Sequence, residues 1–287
     1  MHKMSFQADL LDGIRKWIRP GWRSSLVTRV VYVLLLIVRP RRGVALENMK
    51  IAFPASTTRW RSKNLSRVYF HFASILSEYL VVQNGPEQVV EWFKETRGME
   101  LLERQREEGK GAVLLMSHFG NWELMAAFLV QRGFQIYGVI QNPVDPGLAA
   151  LIERYRKNIG GKPIPKQFML RDPIKRLREG NMVVVAGDQN WGGKGALRIP
   201  FFGRDCGTAG GPAGFSLIAD VPLLPAVAFR TGSFSYRLEI GPAIKKPVTG
   251  TRDEKIIEMT AAACKWNESI IERAPEQWLW MHRRWRD

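Results

Sequence analysis

The 287 residues predict an α/β fold, a mixed and largely parallel central sheet flanked by helices and preceded by a helical N-terminal region. Three observations carry this. Short continuous apolar runs such as Ala112–Met116 and Met182–Ala186 mark strands buried on both faces. Segments of helical periodicity alternate with them. The first 108 residues read as helical.

In chain order, Ser56 is placed to cap a helix reaching about Val82, whose apolar positions Trp60, Leu65, Val68, Tyr69, Phe72, Ile75, Leu76, Tyr79 and Leu80 recur at helical spacing. Shorter helices follow at Pro86–Glu95 and Met99–Glu108, the second stopped by Gly109. The strand Ala112–Met116 leads to a helix over Asn121–Arg132. A strand at Gln135–Ile140, a helix at Pro146–Asn158 and a Gly-Gly-Lys-Pro turn come next. Pro173–Glu179 is a helix, Met182–Ala186 a strand, and Gly210–Asp220 a helix. Leu223–Phe229 and Phe234–Ile240 form a strand pair, and Thr251–Arg273 closes as a long helix. No repeat, low-complexity tract or linker divides the chain. The expected organisation is a basic, apolar, membrane-associated segment over 1–42 and one α/β domain over 43–287.

Composition bounds the function. Apolar residues at 45% and charged residues at 24% exclude a disordered or fibrous chain. Two cysteines, Cys206 and Cys264, exclude a disulfide framework and a cysteine-built zinc site, and four histidines leave little for a metal cluster. The net charge of +16 calls for an anionic partner. It is concentrated in residues 1–77, with fourteen basic residues against Asp9, Asp12 and Glu47. There it accompanies Trp17, Trp22 and the apolar run Leu26–Val38, interrupted by Thr28 and Arg29. Basic flanks, tryptophans and a short apolar segment form a membrane-interface signature. Thirteen helical residues reach roughly 20 Å, short of a hydrocarbon core of roughly 30 Å, so a chain lying on or dipping into the membrane is expected. A core helix with a solvated basic flank is the plainer alternative.

The strongest chemical signal is Ser117-His118-Phe119-Gly120-Asn121-Trp122-Glu123, at the end of a buried strand and the start of a helix. That is where open α/β sheets place reactive groups. His118 suits a general base near neutral pH. Glu123, five residues on across a turn, is placed to reach back to the imidazole and fix its tautomer, as the third member of a triad does. No G-x-S-x-G elbow is present, and Ser117 points elsewhere in most geometries, so the base is expected to activate a hydroxyl on the substrate. A structural histidine bonding a turn carbonyl is the alternative; a metal reading lacks a third ligand.

Asp188, in Gly187-Asp188-Gln189-Asn190, ends the strand Met182–Ala186; it is either a site residue or a turn cap. The glycine-rich continuation to Gly195 has the wrong spacing for a phosphate loop, with no Ser or Thr after Lys194. Arg154 and Arg156, beyond Asn142-Pro143, are placed to clamp a phosphate or carboxylate, or to form a solvated basic face. The C-terminal stretch Pro275–Trp285 is dense in Trp and Arg. Such residues stack on nucleic acid or dock at a helix end, and without an RRM, KH or zinc-finger signature no nucleic acid is expected.

On these residues the chain resembles the late acyltransferases of lipid A biosynthesis, within the lysophospholipid-acyltransferase-like superfamily. The matching segments run in the family's order: Ala45-Leu46-Glu47-Asn48 through Phe53-Pro54, His118–Glu123, Asn142-Pro143, Asp188-Gln189-Asn190, Ile199–Arg204 with Gly211-Pro212-Ala213, and Pro275–Trp285. The resemblance implies a catalytic dyad of His118 and Glu123. It implies substrate-binding roles for Asp188, Asn121 and a functional arginine, with Arg156 preferred and Arg154 the alternative. It also implies an enzyme of the bacterial inner membrane, at its cytoplasmic face, monotopic or held by a single short anchor. That enzyme would move a fatty acyl group from acyl carrier protein or coenzyme A to a hydroxyacyl chain of a lipid A precursor. The thioester carries its own activation, so no metal or redox cofactor is required. Acyl transfer to another glycolipid, such as a phosphoinositol mannoside, stays open, as does a non-catalytic nucleic-acid or membrane-binding role.

Overall fold

Ala112–Met116 is a buried strand, and it runs on through the histidine. In the computed structural model, which describes residues 6–139, 145–164, 168–193 and 195–286, this strand, β2, spans Ala112–Gly120. His118 therefore lies inside the strand end and not after it. Its two sides show why the run is continuously apolar. Ala112 and Leu114 enter one core cluster, Val113 and Leu115 another across the sheet. Both faces are covered, so the sequence has no polar side to alternate with.

The helical preface consists of α1 (Phe6–Trp17), α2 (Trp22–Val38), α3 (Arg42–Ala52) and α4 (Thr58–Val82). The cap of α4 is Thr57, one residue beyond the expected Ser56: its hydroxyl accepts from the Trp60 amide at 3.1 Å, while Ser56 donates to the Phe53 carbonyl. The expected helix over Pro86–Glu95 shrinks to a 3₁₀ turn and α5 (Val89–Trp92), and the chain continues as strand β1 (Phe93–Arg97). Phe93 alone is buried in β1; the four charged or polar residues after it suit an exposed edge strand, which leaves no apolar alternation to detect.

Next come α6 (Met99–Glu107), β2, α7 (Trp122–Gln131), β3 (Ile136–Val139), α8 (Pro146–Asn158) and β4 (Lys162–Ile164). Ile140, at the end of the expected third segment, lies outside the described residues, as do Asn142-Pro143 and Lys194. Of the expected Gly-Gly-Lys-Pro turn only Gly160 and Gly161 precede the strand; Lys162 and Pro163 begin β4, a three-residue edge strand. Then follow α9 (Asp172–Arg178), β5 (Met182–Ala186), the hairpin β6 (Leu197–Phe201) and β7 (Arg204–Thr208), α10 (Gly211–Ala219), β8 (Leu223–Gly232), β9 (Ser235–Ile240) and α11 (Arg252–Arg273). The β6–β7 hairpin, absent from the sequence reading, forms a separate two-stranded sheet. A Thr251–Glu254 capping box starts α11.

The main sheet has seven strands in the order β1-β9-β8-β2-β5-β3-β4. Only the β8–β9 hairpin is antiparallel; the other pairings are parallel. β2 and β5 are direct neighbours, with Met116 opposite Ala186. Their carboxyl ends therefore emerge side by side, and the residues that follow each of them meet.

Among the described residues no helix is long and apolar enough to cross a membrane. Residues 1–42 are not set apart by packing. Ala8 and Ile18 enter the main core cluster, Ser77 donates to the Ser24 carbonyl, and Tyr32 and Ser66 share a 2.7 Å hydroxyl bond. Outward, α2 exposes Trp22, Leu26, Val30, Val33, Leu34, Ile37 and Val38, and α1 exposes Phe6 and Leu10. Trp17 and Trp22 meet edge to face at 5.5 Å with the Arg23 guanidinium over both rings.

Candidate active site

Two loop-forming constraints bring the site together. Gly120 ends β2 at φ +58, and a Cβ there would meet the Ala228 carbonyl oxygen at 1.8 Å. Only glycine permits both this left-handed turn and the close approach of β8. Asn121 then caps α7, its side-chain oxygen accepting from the Leu124 amide at 3.1 Å and its amide donating to the Tyr236 hydroxyl at 3.1 Å. Both ends of the side chain are engaged and it is fully buried, so Asn121 serves as the helix cap and as a core hydrogen bond.

His118 Nδ1 lies 2.9 Å from Asp188 Oδ1, and the His118 backbone amide donates to Asp188 Oδ2 at 2.8 Å. The carboxylate that orients the imidazole is therefore Asp188, not Glu123, and Asp188 is neither a turn cap nor exposed to substrate. Glu123 faces Arg156 instead. It accepts from Nη2 at 2.5 Å and from Nε at 3.1 Å, and from the Trp122 indole at 3.3 Å. The cause is local. Glu123 sits in the first turn of α7, which starts beyond the Gly120 turn, while the parallel neighbour β5 delivers Asp188 straight to the end of β2.

The two arginines of α8 face different carboxylates. Arg154 reaches Asp12 of α1 at 2.7 Å, and Tyr155 also donates to Asp12, so this side ties the N-terminal helix down. Arg156, two residues on, pairs with Glu123 and lies near enough to His118 to act on its charge. The Trp122 ring stands edge-on to the His118 imidazole at 5.1 Å. Ser117 is turned to the opposite face, donating to Asn267 of α11 at 3.1 Å, as the alternation of a strand requires.

The electrostatics follow from these partners. Burial disfavours the His118 imidazolium, but the Asp188 charge and hydrogen bond, with Glu123 behind them, outweigh it and hold the pKa above its ordinary value. Burial would raise Asp188, yet the His118 bonds and the Trp278 indole keep it low and ionised. Arg156 is likewise held charged by Glu123 against burial. Both cysteines are free and buried; burial raises Cys206 and pushes Cys264 up to about 11, the reverse of what a nucleophile needs. Among the described residues, no three His, Cys, Asp or Glu side chains gather to hold a metal ion.

Sequence reasoning missed the partners that complete this centre. The Trp278 indole donates to Asp188 Oδ2 at 2.8 Å, and His282 Nε2 accepts from the Asn190 amide at 3.0 Å. Behind Asn121, a buried set joins Tyr236 to Glu78 and Glu78 to Arg230 at 3.0 Å. His71 of α4 meets the Gly120 carbonyl at 3.3 Å. The C-terminal stretch dense in Trp and Arg was the signal for the first pair; no local pattern announces the second.

The model of the bacterial lipid A biosynthesis acyltransferase family matches residues 19–287. The chain belongs to this family. It is an acyltransferase, and lipid A biosynthesis is the setting of its relatives. It is similar to a lipid A biosynthesis palmitoleoyltransferase of Escherichia coli (strain K12), 27% identical over 270 residues, which are 91% of this chain and 84% of the relative. A lipid A biosynthesis lauroyltransferase of the same organism is 24% identical over 260 residues, 88% of this chain and 81% of the relative. A phosphatidylinositol mannoside acyltransferase of Mycobacterium tuberculosis (strain ATCC 25618 / H37Rv) is 26% identical over 151 residues, 51% of this chain and 47% of that protein. In this chain it is Asp188, and not Glu123, that accepts the hydrogen bond of the His118 ring.

Proposed function

We propose that this acyltransferase moves a fatty acyl group from an acyl thioester, carried by acyl carrier protein or coenzyme A, to the hydroxyl of a hydroxyacyl chain on a lipid A precursor. The observation that carries the reading is the His118–Asp188 pair at the carboxyl edge of β2 and β5, in a chain of this family. With Nδ1–H donating to Asp188, the neutral imidazole presents Nε2 as its basic nitrogen. Nε2 takes the proton of the acceptor hydroxyl as the oxygen attacks the thioester carbonyl. The tetrahedral oxyanion collapses, the C–S bond breaks, and the imidazolium returns the proton to the leaving thiolate. No bond in this sequence needs a metal or a redox cofactor, because the thioester supplies the driving force.

Arg156 has Nε and Nη2 held by Glu123, which leaves Nη1 for an anionic oxygen of the substrate or of the tetrahedral intermediate. Glu123 thus acts by aiming Arg156. The outward apolar faces of α1 and α2, with Arg23 and Arg29 among them, are read as the contact with the cytoplasmic face of the inner membrane, where both substrates converge. Matches to phosphatidylinositol mannoside acyltransferases cover 51% to 62% of the chain, and an alternative glycolipid acceptor rests on these matches.

The test is acyl transfer by the purified protein, with acyl-carrier-protein and coenzyme A thioesters offered in turn to a lipid A precursor. Mass spectrometry of lipid A from a deletion strain then names the acyl length and position. An unchanged lipid A would overturn the acceptor assignment.

A further inference from the structure

Three buried indoles stand together in the C-terminal segment, and their N–H groups show an asymmetry. Trp280 donates to the Pro275 carbonyl at 2.5 Å and Trp285 to the Phe201 carbonyl at 3.0 Å. Trp278 alone of the three donates to a carboxylate, the fully buried Asp188. The same segment bonds the two residues after Asp188. Arg284 reaches the Gln189 carbonyl at 3.3 Å, and His282 Nε2 accepts from the Asn190 amide at 3.0 Å. On the other side, the Leu279 amide donates to the His118 carbonyl at 3.0 Å, and Phe119 bridges to Trp278 in antiparallel fashion. Residues 278–284 are thus bonded both to the backbone carrying the base and to Asp188, Gln189 and Asn190 of the loop carrying its carboxylate.

We infer that this C-terminal strap is the positioning element of the reaction centre, and that the Trp278 indole, acting through Asp188, holds the His118 imidazole in its working tautomer and orientation. A buried carboxylate must have its lone pairs satisfied to keep one geometry. Here Oδ1 is given to the His118 ring, and Oδ2 is shared by the His118 amide and Trp278. Without the indole donor, Oδ2 keeps one bond and the carboxylate is free to swing about it. More of its charge would also fall on Nδ1–H, strengthening the imidazolium. The other charged or titratable groups facing His118 are Glu123 of α7, Arg156 of α8 and His282 of the strap, with Arg284 and Arg41 behind His282. None of them is altered by changing Trp278 to Phe.

The inference rests on the acyltransferase reading, so its test includes a readout that needs no substrate. In the detergent-solubilised full chain, the His118 titration is followed by NMR and assigned by its loss in His118→Gln. Trp278→Phe should raise the midpoint by roughly half a pH unit to one unit. It should move the acid limb of kcat/KM the same way and lower kcat about tenfold. Trp280→Phe, which removes an indole bond to a carbonyl in the same strap, should lower Tm and move neither the midpoint nor the limb. Trp278→Phe with an unchanged midpoint would overturn the inference. Should that variant fail to fold, wild-type protein labelled with ¹⁵N-tryptophan keeps the question open to measurement. One indole resonance should follow the His118 titration and stop doing so in Asp188→Asn; no such resonance would overturn the inference equally. A wild-type protein that transfers no acyl group while the His118 midpoint still responds to Trp278 would overturn the functional reading alone.

Discussion

His118 has one ring nitrogen committed and one available, and that division sets what its neighbours contribute. Removing the base, His118→Ala, is expected to lower acyl-transfer kcat by about 10²–10⁴ with the fold retained, as measured by turnover and circular dichroism. Asp188→Asn should approach the same loss, because an amide facing Nδ1 no longer stabilises the imidazolium. Since the base must be neutral and its pKa is held above the ordinary histidine value, activity should rise with pH through a midpoint above that value. Asp188→Asn should bring the midpoint down. The arginines divide the same way. Arg156→Lys loses the two-pronged contact with Glu123 and should impair turnover at every salt concentration. Arg154→Lys, half exposed and tied to Asp12, should leave kcat near wild type and shift Tm by a degree or two at most. Equal losses for the two lysine variants would return α8 to the role of a basic surface.

At the scale of elements, α4 supports the site from behind. His71 lies on it with 4% exposure, and its ring bonds the carbonyl of the Gly120 turn. Burial, helped by Arg230, pushes its pKa down to about 3. The sign follows from linkage. The unfolded chain takes up this proton near the ordinary histidine pKa and the folded chain does not. The contribution of His71 is therefore whole above about pH 6.5 and is lost as pH falls toward 3. By pH 5 the loss reaches about 2 kcal/mol. Thermal unfolding of wild type and His71→Gln at pH 7.5 and pH 5 checks this: acidification should lower Tm more in wild type. Equal shifts would mean that water reaches the ring. The same element shows why charged strands escape a sequence reading. β1 carries Lys94, Glu95 and Arg97 on an edge, and its membership in the sheet comes from pairing with β9, which no local pattern reports.

For the whole molecule the unequal charge is the main feature. The net +16 is weighted to the N-terminal helices, whose outer faces are also apolar, and the two together suit an anionic bilayer surface. Because α1 and α2 share the core, deleting residues 1–42 would remove the core residues Ala8 and Ile18, so substitution is the cleaner test. Replacing Val30, Val33 and Ile37 together by Ser should weaken sedimentation with phosphatidylglycerol vesicles at least tenfold at constant Tm, as apolar area of that size is worth about 0.8 kcal/mol per buried methylene. Raising salt should weaken the wild type as well, through screening of the basic residues. Binding that ignores both changes would place the membrane contact elsewhere.

The chain by itself determined the α/β class, because strands covered on both faces must be apolar throughout, and Ala112–Met116 and Met182–Ala186 could be recognised on that ground. It also pointed to His118 as a candidate, because a histidine at a strand end shortly before Gly-Asn at a helix start is a local arrangement, and an ordered set of such segments pointed to the family. It placed Asp188 at a strand end without saying whose strand lay beside it. Only the tertiary structure decided that β2 and β5 are neighbours, and with that which carboxylate meets the imidazole, which arginine faces Glu123, and which group the Trp278 indole bonds. The reason is physical: periodicity and capping act over a few residues, whereas the order of strands in a parallel sheet is set by covering all its apolar faces at once, and residues 70 and 160 positions from His118 come to it only through that order.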